Sequence, residues 1–150
     1  MTSLAQDSTK LRQIDSLVKV INESNITPQN DTIVQDMPDI GLFMKTYLSI
    51  IADGKDLKKY VNRLVSTRLE KGTTKNLTTQ NSFYFDNNKL IKVEEFAIDG
   101  SNEKRFDWYY WEEKPLYYTF QSEKSEARAA LLLTMSKNLT DHFHQKVSKQ

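Results

Sequence analysis

The chain has 150 residues, 21 Lys and Arg against 20 Asp and Glu, a net charge of +1, and no cysteine. That length suits one domain with a buried core of its own. The balanced charge argues against a dedicated nucleic-acid binder, and the missing cysteines exclude disulfides, thiol nucleophiles and Cys-rich zinc sites.

Aromatics make up 11% of the residues, too many for a disordered segment. No apolar run approaches the roughly 20 residues of a transmembrane helix. The N-terminus reads "MTSLAQDSTK". Ser3-Leu4-Ala5 has the form of the tail of a secretory cleavage site, which would leave Gln6 as the first mature residue. That reading, with a composition rich in Asn, Thr, Ser and Tyr, predicts an extracytoplasmic protein, periplasmic or secreted. Met1 as a native cytosolic start is the alternative.

Residues 1–9 are polar and read as a disordered tail, leaving 10–147 as a single domain. Leu11, Ile14, Leu17, Val18 and Ile21 recur at helical spacing and predict a helix over 10–23, capped by Ser8 or Thr9. Residues 24–40 hold two prolines and no sustained period. They read as a long connection, with at most a short edge strand at Thr32-Ile33-Val34 and a stop at Pro38.

From Leu42 onward the chain is rich in β-branched and aromatic residues, and one unit recurs three times. Leu57, Leu90 and Leu116 each stand four residues after an acid: Asp53, Asp86 and Glu112. Before the acids come Ala52, Phe85 and Trp111, and between acid and Leu stand the turns Gly54-Lys55, Asn87-Asn88 and Glu113-Lys114. Asn and Gly tolerate the positive φ of a hairpin turn, and Asp accepts hydrogen bonds from turn amides. The repeat therefore settles the segment 57–69, which fits either a helix or a strand by period, as a strand. Strands are expected near 42–51, 57–70, 79–86, 89–98, 105–112 and 115–121, with 71–78 as a loop. Phe85 should face Leu90, Trp111 should face Leu116, and Tyr117 should pair with Tyr110.

Ser122 and Ser125 are candidate caps of a closing helix over about 123–145. Its apolar stripe is read as Ala127, Leu131, Met135, Leu139 and His142/Phe143. The fold class is thus α+β: an antiparallel meander of about six strands with an N-terminal and a C-terminal helix packed on it.

The sequence offers little chemistry. His142 and His144 are the only histidines, and an i, i+2 pair points to different sides of a helix, so they do not share a metal. Glu94-Glu95 and Glu112-Glu113 are adjacent in strands or turns and diverge. No nucleophile elbow is present, and four glycines make no phosphate-cradling loop. The run Lys55, Lys58, Lys59, Arg63, Arg68, Lys71 and Lys75 reads as a solvated strand face with lysines guarding an edge.

Aromatics fall on both faces of the strand 105–112: Phe106, Trp108 and Tyr110 on one, Tyr109 and Trp111 on the other. One face must be core, and the other is covered by a helix, covered by a partner, or partly wet. The expected contact surface is the sheet face around Trp108, Tyr110 and Tyr117, with the 24–40 connection lying over it.

The units "FYFDNNKLIKVEE" and "WYYWEEKPLYY" resemble the repeated Tyr-Phe-Asp-Asn-Gly-Lys-Leu hairpins of exported bacterial proteins, and are distantly similar to MORN-like repeats. The resemblance covers about residues 47–120. It departs at Asn88, where the pattern has Gly, and in the third turn, which has neither Gly nor Asn. It implies a secreted or periplasmic protein with no enzymatic residues to carry over. The expected function is a non-enzymatic extracytoplasmic binding module for a protein or carbohydrate, with no catalytic residues, metal or cofactor and no nucleic-acid partner. The alternatives are a small carboxylate-dependent hydrolase or lyase and a cytosolic immunity or inhibitor protein.

Overall fold

The computed structural model describes residues 4–119 and 122–148. Seven antiparallel strands form one open sheet in chain order: β1 (Gln29–Met37), β2 (Leu42–Asp53), β3 (Asp56–Glu70), β4 (Thr73–Asp86), β5 (Lys89–Asp99), β6 (Asn102–Trp111) and β7 (Lys114–Tyr118). Helix α1 (Leu4–Asn22) precedes the sheet and α2 (Ser125–Ser148) follows it. The fold is α+β, a meander with two terminal helices, and residues 57–69 are strand throughout.

Several boundaries differ from expectation. Helix α1 begins at Leu4, six residues before the predicted start at 10, so the described part of the supposed tail is helical. Residues 29–37 form a full strand on β2, with Asp31 opposite Leu48 and Met37 opposite Leu42. Their mixed polar composition hid them, because both faces of this edge strand meet water and no alternation is enforced. A short 3-10 turn, Pro38–Ile40, and Gly41 then reverse the chain. Gly41 has φ +65° and a Cβ there would stand 3.0 Å from the Leu69 carbonyl oxygen, so a side chain would be both strained and crowded. The segment 71–78 is a tight turn at Lys71-Gly72 followed by β4, because a left-handed Lys71 (φ 49°) supplies the reversal in two residues.

The three hairpin units are real, and the third is displaced by one residue. Its turn is Glu112-Glu113, both left-handed at φ 51° and 62°, with Trp111 opposite Lys114. Asn87 and Asn88 have the same conformation at φ 52° and 62°. Each unit carries a bulge just past its turn. Phe85 opposes Leu90 but Tyr84 opposes Lys92, leaving Ile91 extra; Lys58 and Leu116 are extra in the same way. A bulge places two successive residues on one face. Tyr117 therefore opposes Tyr109, while Tyr110 opposes Pro115. Residues 120–121, the end of the strand expected at 115–121, lie outside the described residues.

The two helices lie on opposite faces. Beneath α2 sits the larger core, with Leu57, Phe83, Phe85, Val93, Trp108 and Tyr110 packed against Ala129, Leu132 and Phe143. The buried stripe of α2 runs through Ala129, Leu132, Ser136 and Phe143, whereas Leu131 is 48% exposed. Reciprocal bonds at its start, from Ser122 N to Ser125 Oγ (2.8 Å) and from Lys124 N to Ser122 Oγ (3.2 Å), show that both serines serve the cap. Beneath α1, Ile14, Val18 and Ile21 meet Tyr84, Ile91, Tyr109, Trp111 and Leu116. Both aromatic faces of β6 are thus covered. No described helix is long and apolar enough to cross a membrane.

Candidate functional site

The strands outrun the helices. β3 has 15 residues and spans about 50 Å at roughly 3.3 Å per residue. On the α1 side, the strand halves remote from the helix carry side chains set in rows by the register. Arg63 opposes Gln80, Gln80 opposes Phe96 and Phe96 opposes Arg105, one row across β3 to β6. The adjacent row holds Ser82, Glu94 and Asp107, again directly opposite one another. The rows bound an open recess of about 320 Å³ with Ser82, only 4% exposed, in its floor.

The recess is electrostatically ordered. Tyr84 donates its hydroxyl to Glu94 Oε1 at 2.8 Å, and Lys92 Nζ lies 3.5 Å from Glu94 Oε2. Lys92, with 8% of its side chain exposed, also reaches Asp15 of α1 at 3.3 Å, and Tyr109 donates to Asp15 at 2.9 Å. Lys59 donates to Asn22 Oδ1 at 2.8 Å, and the Tyr84 hydroxyl oxygen lies 3.2 Å from the same atom. One polar network therefore ties α1 to the inner wall of the recess. Burial alone would push Lys92 toward neutrality, but its contact with Tyr109 and the charges of Glu94 and Asp107 hold it above the ordinary lysine range.

Asp107 is the opposite case. Burial raises its carboxyl above the ordinary aspartate range, Glu94 and Asp15 add to the rise, and Lys92 and Arg105 only partly offset it. Its backbone is pinned by Thr119, which accepts from Asp107 N at 2.9 Å and donates its own amide to Asp107 O at 3.0 Å. Arg105 lies over the Phe96 ring at 4.6 Å and pairs with Glu103 at 3.4 Å, so its guanidinium is held at the rim. Glu95 turns to the other face, where it pairs with Arg128 of α2.

The three residues read from sequence as a contact surface are not brought together. Trp108 and Tyr110 are 1% and 0% exposed in the core under α2, and the Tyr110 hydroxyl donates to Ala129 O at 2.8 Å. Tyr117, 45% exposed, lies on the opposite face beside Tyr109, with ring centroids 6.1 Å apart. Residues 29–37, within the connection expected to lie over them, are paired as β1 at the far edge of the sheet. The basic run is likewise dispersed. β3 is an interior strand, Lys59 bonds Asn22, Arg63 lines the recess and Arg68 pairs with Glu70 at 3.6 Å.

Arg63, Gln80, Glu94, Phe96, Arg105 and Asp107 stand in four separate strands. Only the pairing register unites them, and no short motif in the sequence points to them. Among the described residues no group of three or more His, Cys, Asp or Glu is placed to hold a metal ion. His144 contacts the Lys55 carbonyl oxygen at 3.0 Å. A larger groove of about 790 Å³ runs between α1 and the turns of the β4–β5 and β6–β7 hairpins, walled by Leu17 and Val20. Its surface is mainly apolar, with Arg12, Gln13, Asp86 and Lys89 among its polar lining. No protein-family model matches the chain, and neither curated proteins nor solved structures give a match.

Proposed function

We propose that the protein is a non-enzymatic, extracytoplasmic binding module whose contact site is the recess at Arg63, Gln80, Glu94, Phe96, Arg105 and Asp107. The observation that carries this reading is the convergence of three donor side chains, two carboxylates and an aromatic ring on the uncovered half of an otherwise helix-covered sheet. The ligand class that fits is a small carbohydrate. Its hydroxyls donate to Glu94 and Asp107 and accept from Arg63, Gln80 and Arg105, with Phe96 as the apolar side of the wall. The location is proposed on the resemblance of the hairpin units to those of exported proteins.

The test is calorimetric titration with a panel of neutral mono- and disaccharides, with amino acids as a control panel. The expected result is saturable binding of at least one sugar, weakened about tenfold or more by R63A and by D107N, as loss of a charge-assisted hydrogen bond predicts. No binding across the sugar panel, or binding indifferent to both variants, contradicts the proposal.

One observation favours a second reading, a carboxylate-dependent hydrolase. Glu94 and Asp107 face each other on neighbouring strands, one ion-paired to Lys92 and the other biased toward its protonated form. Release of reducing ends from oligosaccharides, lost in D107N, would establish it. Binding without turnover leaves the module.

A further inference from the structure

The two edges of the sheet are unequally protected. At one end β7 is five residues long and carries Lys114 and Pro115, both of which blunt an edge against further pairing. At the other end β1 offers nine residues, "QNDTIVQDM", with no Pro, Lys, Arg or Gly. Eight of the nine are exposed, Ile33 by 47% and Val34 by 54%, and β1 pairs only with β2. A long, uncovered strand with neither proline nor lysine, and with only Asp31 and Asp36 as charges, is a template for one more strand.

We infer that this edge is occupied by β1 of a second copy, joined antiparallel about a two-fold axis at Ile33. In that register all nine residues of each strand are paired. Ile33 meets its own mate on the α2 side, and Thr32 meets Val34 on the other, so each face gains an apolar contact. The two acids never oppose each other: Asp31 stands against Gln35 and Asp36 against Asn30. A shift of one residue would set Asp31 against Asp36. Lys146 at the end of α2 borders the same recess as Asp31 and Ile33 and adds a cation beside the seam.

The Thr32 amide donates to its neighbour Asp31 Oδ1 at 2.8 Å, which marks it as a group directed out of the sheet. In the single chain the Asp31 carboxylate occupies this donor. In the pair the Val34 carbonyl of the second copy takes its place. The result is one 14-stranded sheet made of two seven-stranded ones, which stops at two copies because each β1 edge is used and the blunted β7 strands lie outermost.

Sedimentation velocity and light scattering across roughly 1 µM to 1 mM test this, a range that covers weak and strong pairing alike. The wild type is expected to reach twice its 17.5 kDa chain mass. T32P removes an outward amide without touching the bonds to β2, and I33K sets two like charges on the axis. Both are expected to remain at single-chain mass with unchanged circular dichroism. Should T32P not fold, I33K carries the test alone. A wild type that stays monomeric throughout, a dimer that persists in I33K, or open-ended polymers would each overturn the inference.

Discussion

Asn88 shows how a single side chain outweighs a rule about turns. Its φ of 62° is the left-handed region where glycine is the easy choice. Yet its Oδ1 accepts the Leu57 amide at 3.0 Å, and its Nδ2 reaches Asp56 at 3.3 Å. Leu57 sits at a bulge, so its amide needs this acceptor. N88G is therefore expected to lose about 1 kcal/mol in urea denaturation despite the relief of strain. A stabilised N88G would show the bond to be dispensable. Asp107 gives the converse prediction. Its folded pKa lies above the unfolded value, so its protonation favours the fold below the ordinary aspartate range, and that contribution is lost as pH rises through the raised value. At pH 7 the ionised carboxyl is a liability, and D107N should be more stable by roughly 0.5 kcal/mol. The gain is small because the group is partly solvated and its charge screened. The gain should vanish near pH 3, where the wild-type carboxyl is itself neutral. A residue that weakens the fold yet is expected to be needed for binding follows the usual opposition between stability and function.

At the scale of elements, the third hairpin is the weak copy. Glu112 and Glu113 both hold positive φ without the tolerance of Asn or Gly. Replacing them together, E112N with E113G, is expected to add about 1 kcal/mol, read as a higher urea midpoint at unchanged slope. Helix α1 is held by Ile14, which is fully buried, so I14A should cost about 2–5 kcal/mol. The hairpins were legible because turn residues and alternation act locally: Asp53-Gly54 and Asn87-Asn88 needed no distant partner to be recognised. The bulges at Lys58, Ile91 and Leu116 were not legible, since an extra residue leaves no local mark. Missing them put Tyr117 on the wrong side of the sheet. β1 was hidden for another reason: an edge strand wet on both faces has no reason to alternate.

At the scale of the whole molecule, the order helix, meander, helix was readable, but the division of labour between the two sheet faces was not. The aromatic excess around Trp108 and Tyr110 is absorbed because there are two cores, one per helix, so ring density marks packing and not a contact surface. Truncating Trp108 would accordingly empty a core. The surface left free lies where β3 to β6 extend past α1, and its members meet only through register. Chemical-shift mapping of the ¹⁵N-labelled protein, titrated with the sugar that binds in calorimetry, tests this most directly. The expected perturbations cluster on Arg63, Gln80, Ser82, Glu94, Phe96, Arg105 and Asp107. Perturbations gathered instead along Leu17 and Val20 in the α1 groove, or around Tyr117, would contradict it.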